Sequence, residues 1–122
     1  MGTFYENIKP HVEQEIKKSE EEMAKGNPDV AYRHLENAHV LGQNAMTIHV
    51  KVHYRMLLWG INQGDFREIV GQTLRIPGTI LFTWLNRLPT GNTGGARVPM
   101  FQKMDISEEH LKIINEAREK AN

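Results

Sequence analysis

The chain has 122 residues, a length that corresponds to about one domain with a single modest core. Fifteen basic and fifteen acidic side chains give a formal net charge of zero, which leaves no electrostatic footprint for nucleic acid or an anionic membrane. The absence of cysteine excludes disulfides, thiolate ligands and a cysteine nucleophile.

The opening segment MGTFYENIKP has no basic start followed by an apolar run, so it does not resemble a secretory signal. No apolar stretch reaches the roughly 20 residues that a membrane-spanning helix needs, and LLWGI and TILFTWL are both too short. We therefore expect a cytoplasmic protein formed by one helical domain over residues 1–122.

The first helix is predicted over residues 3–25, where apolar side chains recur at helical spacing. Thr3 and Glu6 have the spacing of a capping box. Pro10 falls inside the pattern, so the regular helix is expected to begin near it, where proline is tolerated in the first turn.

Three more helical stretches follow between turns rich in glycine and asparagine. Pro77-Gly78 interrupts the last of the three, which predicts a kink or two shorter helices there. The predicted bounds are 28–42, 45–62 and 65–88, the last with Phe66, Val70, Leu74, Leu81, Trp84 and Leu88 at helical spacing.

The segment PTGNTGGARVP, 89–99, is predicted to be a glycine-rich loop that folds back across the bundle. Ser107 then caps a short last helix that ends near residue 120. No stretch alternates long enough to require a sheet. The predicted fold class is all-α, a compact bundle of four to five helices with the glycine-rich loop before the C-terminal helix.

Four of the six histidines lie within twenty residues of one another, between 34 and 53. At about 100° per residue, Glu15, His34, His49 and His53 all fall on the apolar faces of the first three helices. His49 and His53 are one helical turn apart, close enough to bind one ion. These four residues are the first choice as ligands of one transition-metal ion: zinc, iron, manganese, nickel or copper.

His39 and Glu36 are the second choice as ligands. Glu36-x-x-His39 has the spacing found in di-metal carboxylate bundles, where it normally occurs twice, but here it occurs once. Glu36 also lies nearly opposite the apolar stripe of its helix, while His39 lies at the edge of that stripe. A complete di-iron bundle is therefore disfavoured.

Several segments resemble, in order and spacing, a family of small bacterial proteins known as domain of unknown function 3703. The matching segments are RHLENAHVLGQ (33–43), HVKVHYRMLLWG (49–60), DFREIVGQTLRIPG (65–78) and PTGNTGGARV (89–98). The matching positions are Glu15, His34, Glu36, His39, Gln43, His49, His53, Gln72 and the Gly91 to Gly95 loop. The resemblance implies that the histidine-rich stretch is a shared feature of the family, but it implies no particular metal or activity.

Two other functions remain open at the level of sequence. The first hairpin, AKGNPDVAYRHLENAH, is similar to one tetratricopeptide unit, which would make the protein a metal-free interaction module with structural histidines. A metal-free enzyme would instead use one inward histidine as general base. The segments LLWG and TILFTWL carry apolar residues on more than one face, which is compatible with a homodimer.

Overall fold

The computed structural model describes residues 2–84, 91–100 and 102–121, with the backbone alone at 82–84. Within these ranges the chain forms five helices and no strand, and one isolated bridge joins Gly2 to Ala121. The predicted all-α class is confirmed. The helices are α1 (Phe4–Ala24), α2 (Pro28–Gly42), α3 (Met46–Gln63), α4 (Phe66–Trp84) and α5 (Glu108–Glu119).

The helices pack as neighbours along the chain, with α1 against α2, α2 against α3 and α3 against α4. Helix α5 returns to pack against α1 and α2. The apolar faces of α1, α2, α3 and α5 enclose one core, whose members include Ile8, Val12, Ile16, Leu35, Ala38, Leu41, Ile48, Val52, Met56 and Ile114. No helix in the described part of the chain is long and apolar enough to cross a membrane.

Helix α1 begins at Phe4, so the prediction that it would start near Pro10 is wrong. The Thr3 side chain accepts a hydrogen bond from the backbone N–H of Glu6 and fixes the first turn. Pro10 lies inside the helix on its exposed side. Because the ring removes the bond to the Glu6 carbonyl at a surface position, water can replace that bond and the helix tolerates the proline.

Helix α4 exposes its apolar face and buries its polar face, which is the reverse of the usual arrangement. Phe66 is 76% exposed and Leu74 is 63% exposed, and Val70 and Leu81 also lie at the surface. The buried positions at helical spacing are polar instead: Glu68, Gln72, Arg75 and Thr79. The polar face of α4 therefore points into the molecule.

Pro77 does not divide α4, which is one helix from Phe66 to Trp84. The Pro77 ring lies on the exposed face of the helix. Thr73, whose backbone carbonyl loses the hydrogen bond that an N–H at position 77 would donate, is exposed as well. The expectation of two shorter helices is thus wrong. The predicted extension of this helix to Leu88, and the side chain of Trp84, lie outside the described residues.

Candidate metal centre

Three histidines from α2 and α3 meet inside the bundle. His39 lies in the last turn of α2, and His49 and His53 lie one turn apart in the first half of α3. Only residues 43–45 separate the two helices, so the end of α2 stays beside the beginning of α3. The short connection brings all three imidazoles to one place.

The three Nε2 atoms form a tight triangle. The distance between them is 2.7 Å from His49 to His39, 3.1 Å from His53 to His49, and 3.1 Å from His39 to His53. All three side chains are buried, with 2–3% of their surface exposed. They form a group of residues whose ligand atoms are close enough to hold one metal ion.

The remaining ring nitrogen of His39 fixes the position of its proton. Its Nδ1 lies 2.6 Å from the backbone carbonyl oxygen of Asn92, which can only accept a hydrogen bond. Nδ1 therefore carries the proton and donates it. In the neutral imidazole, Nε2 then presents a lone pair to the other two histidines.

Gln72 fixes the position of the proton on the His53 ring in the same way. Its Oε1 lies 2.6 Å from Nδ1 of His53, while its Nε2 donates to the carbonyl of Gly94 at 2.8 Å and to Glu68 at 3.0 Å. The opposite amide orientation would place the Gln72 oxygen against two acceptors, so only this orientation satisfies the network. His53 consequently donates from Nδ1 and also presents an Nε2 lone pair to the cluster.

His49 differs from its two neighbours. Its Nδ1 is buried and has no hydrogen-bond partner in the described part of the chain. No outer group therefore dictates which ring nitrogen of His49 carries the proton. Its Nε2 is free either to share one proton with the two facing lone pairs or to act as a third ligand atom.

The surroundings keep the cluster neutral. Burial, followed by the nearby His49 and His53, holds the pKa of His39 well below its ordinary value. Burial also lowers the pKa of His49 to about 3 and that of His53 to about 4. All three are consequently neutral at pH 7, which is the form in which imidazole binds a metal.

The glycine-rich segment 91–95 closes over the cluster. Gly94 has φ +84° and packs against the ring of His39, such that a Cβ there would come within 2.4 Å of its Cδ2 atom. A Cβ on Gly95 would come within 2.7 Å of the Tyr32 hydroxyl. Glycine at position 94 meets both the backbone and the space requirement, so the loop can supply carbonyls to both His39 and Gln72.

A second buried network, extending from Gln72, surrounds the Glu68 carboxylate. One oxygen of Glu68 accepts from the Tyr32 hydroxyl and from Gln72, and the other accepts from the backbone N–H of Ala96 at 2.9 Å. Burial and the bond to Glu68 raise the pKa of Tyr32, which stays protonated as a donor. The polar face of α4 thus ties the loop, α2 and the histidine cluster together.

The residues named from the sequence fall in three places. His49 and His53 join His39 in the cluster, whereas Glu15 and His34 pair with each other at 2.8 Å between α1 and α2. Glu36 is half-buried, and burial raises the pKa of its carboxyl. None of Glu15, His34 and Glu36 belongs to the group of three.

The sequence singled out Gln72 of α4 as a position that matches the family, but it indicated neither the role of Gln72 beside the cluster nor the other buried polar residues of this helix. Glu68, Gln72, Arg75 and Thr79 follow the spacing i, i+4, i+7 and i+11, which is a helical stripe in its own right. Arg75 donates to the Val98 carbonyl at 2.8 Å and holds the loop from the same face. A helical stripe of polar residues opposite an apolar stripe is the pattern that could have identified these four residues. It identifies them only if the polar stripe is considered as the buried side of the helix.

The chain belongs to the family described as protein of unknown function (DUF3703), whose model matches residues 6–114. The resemblance seen in the sequence is therefore confirmed. Comparisons with curated proteins and with solved structures gave no match.

Proposed function

We propose that this protein binds one divalent transition-metal ion through the Nε2 atoms of His39, His49 and His53. The observation that carries the proposal is the convergence of these three buried nitrogens within 2.7–3.1 Å. Zinc suits a set of neutral imidazoles best, and copper and nickel are its natural competitors. The absence of a carboxylate from the group makes manganese the poorest fit among the candidate metals.

The proton positions favour a cation at the centre of the triangle. His39 and His53 both donate from Nδ1, so their Nε2 lone pairs face each other at 3.1 Å. A single proton on His49 is all that the neutral cluster can place between them. A metal ion instead accepts all three lone pairs at once, and the bonds to Asn92 and Gln72 then serve as the outer contacts that orient metal-binding histidines.

The size of the triangle also fits. In a tetrahedral site with zinc–nitrogen distances of about 2.0–2.1 Å, ligand nitrogens lie about 3.3 Å apart. The observed separations of 2.7, 3.1 and 3.1 Å are shorter than this by about 0.6 Å for one pair and about 0.2 Å for the other two. Small rotations of the three rings would provide the remaining space.

A three-histidine set leaves one position of a tetrahedral ion for water or a small ligand. Within the described ranges, no fourth histidine, aspartate or glutamate joins the group. This donor set is the one that metal centres use to activate a bound water, whereas purely structural zinc sites use four protein ligands. We therefore favour metal-dependent chemistry on a small ligand over a purely structural ion.

The first test is the metal content of protein purified without a histidine tag. Elemental mass spectrometry would be applied before chelation, after chelation, and after reloading with zinc, copper, nickel, iron and manganese in turn. We expect one zinc ion per chain after reloading. Protein that takes up no metal under any of these conditions, with its helical content intact, would overturn the proposal.

Two matched pairs of variants locate the site. His39→Ala and His49→Ala should each lower zinc affinity by at least 100-fold, because each removes one of three ligands. Glu15→Ala and His34→Ala change the separate pair between α1 and α2 and should leave zinc affinity within about twofold. The reverse pattern would instead assign the ligands to Glu15 and His34.

The metal-free interaction module is the rival function. In such a module, His39, His49 and His53 would serve only as a buried hydrogen-bonded group in which one proton is shared among the three Nε2 atoms. It predicts that chelators change neither the structure nor any partner binding. Zinc uptake that depends on His39 would exclude it.

A further inference from the structure

We infer that two copies of this chain associate through the outer face of α4, independently of metal binding. The face consists of Phe66, Val70, Leu74, Ile80 and Leu81, and it is called the outer α4 face below. These residues fall within about 120° of one another around the helix axis. Each of them is 42–76% exposed.

The amount of apolar surface is what a dimer requires. A fully exposed side chain of this size offers on the order of 200 Å², so the five exposed fractions correspond to about 550 Å² per chain. Two such faces, covered completely, would bury about 1,100 Å², just above the minimum of roughly 1,000 Å² for a specific interface. Burying this surface removes it from water, which favours association.

Helix α4 cannot hide this face by rotating. Its opposite side holds Glu68 and Gln72, whose bonds reach Tyr32, Ala96, Gly94 and His53. Turning the apolar side inward would break these bonds and leave the Tyr32 hydroxyl, Nδ1 of His53 and the Gly94 carbonyl facing apolar side chains without partners. Within the described part of the chain the apolar side of α4 therefore stays exposed, and a second chain can cover it.

The charge pattern selects a second copy as the occupant. Arg67 is the single charged residue of α4 outside its buried face, since Glu68 and Arg75 point inward, and at about 100° per residue it lies at the edge of the outer α4 face, beside Leu74. A face without charge meets an identical face with no like-charge repulsion, as a twofold interface needs. Helices that lie on membranes carry Lys and Arg along an exposed polar side, and α4 exposes no such side.

The oligomeric state in solution tests this inference. Analytical ultracentrifugation at tens of micromolar should give twice the 14.0 kDa of one chain. Leu74→Glu should yield a monomer with unchanged helical circular dichroism, because Leu74 is 63% exposed and carries none of the core. Leu111→Glu, on α5 and 43% exposed, is the matched control and should remain a dimer.

A cross-link maps the interface directly, since the chain has no cysteine of its own. Thr73→Cys places one thiol on the outer α4 face, and Asn115→Cys places one at an exposed position of α5. A short bis-maleimide should join two Thr73→Cys chains and leave Asn115→Cys chains unlinked. A monomeric wild type, or a dimer that survives Leu74→Glu, would overturn the inference, as would flotation of the monomer with lipid vesicles through this face.

Discussion

The imidazoles of His39 and His53 acquire their chemistry from what their Nδ1 atoms contact. Each donates to an oxygen at 2.6 Å, from Asn92 in one case and Gln72 in the other. Asn92 lies 53 positions from His39 along the chain, and Gln72 lies 19 positions from His53. Residue types alone could therefore name the histidines but not their protonation.

Angular positions on a helix explain which site residues the sequence could place. The count around α3 directs His49 and His53 inward, and both are buried. The same count directs Glu15 and His34 inward, but it gives no height along the bundle, and the two side chains meet each other instead. His39, at the edge of its stripe, reaches the cluster because the end of α2 lies next to the beginning of α3.

Gly94 gives a prediction at the residue scale. Gly94→Ala should lower the free energy of unfolding by about 2–4 kcal/mol, because the methyl group would overlap the His39 ring and φ +84° is unfavourable for alanine. Displacement of His39 should also weaken zinc binding at least tenfold. Urea denaturation and zinc titration measure the two effects.

Gly26→Ala is the matched control for this prediction. Gly26 has φ +80°, but a Cβ there would have no neighbour within 4 Å. The substitution therefore introduces the backbone strain alone, which should cost about 1 kcal/mol and leave zinc binding unchanged. Equal losses in the two variants would mean that the contact with His39 contributes nothing.

At the scale of elements, helical periodicity was sufficient to predict where four of the five helices lie. Apart from the expected start of α1 near Pro10, the bounds of α1, α2, α3 and α5 agree with the predicted ones to within a few residues. The facing of α4 was not predictable in this way, because Phe66, Val70 and Leu74 form a stripe as regular as that of Glu68 and Gln72. Which stripe is inside depends on partners from α2, α3 and the loop, which lie far away in the sequence.

Gln72 gives a prediction at this scale. Gln72→Leu should lower the free energy of unfolding by about 2–5 kcal/mol, because it leaves Nδ1 of His53 and the carbonyl of Gly94 buried without partners. The loss of the contact that orients His53 should weaken zinc binding by about 10–100-fold. Chemical denaturation with calorimetric zinc titration provides the measurement.

The neighbouring residue of α4 provides the control. Thr73 is exposed, and among the residues that the structure describes its hydroxyl bonds only to the carbonyl of Ile69 in its own helix. Thr73→Val should change stability by no more than about 0.5 kcal/mol and should leave zinc affinity intact. If Gln72→Leu were as mild as this control, the buried face of α4 would have no part in orienting the cluster.

At the scale of the whole molecule, the cluster links stability to pH. The pKa values of His49 and His53 fall to about 3 and about 4 on folding, and that of His39 also falls well below its ordinary 6.5. Between these values and pH 6.5 the unfolded chain binds more protons than the folded one, so stability rises with pH. The stability that these three neutral histidines contribute is fully present above about pH 6.5 and is lost as the pH falls toward 4.

We therefore expect metal-free protein to lose stability between pH 6.5 and 4.5, by up to about 1.4 kcal/mol per pH unit for each of these histidines. Urea denaturation at several pH values measures the slope. In the His49→Gln variant, the slope of the free energy of unfolding against pH should decrease by about the contribution of one histidine. The contribution of the carboxyl groups to this slope should stay the same. An unchanged slope would show that His49 does not titrate as its burial requires.

All three ligand atoms of the cluster lie within the fifteen residues from His39 to His53. Bringing them together closes only short loops, which costs little chain entropy and takes far less than a millisecond. Asn92, Gln72 and Gly94 join later in the chain, and they orient rings that the α2–α3 hairpin has already gathered. During synthesis, a growing chain could hold the proposed ion before α4 has emerged, and an ion bound at that stage would act as a nucleus around which the rest of the bundle folds.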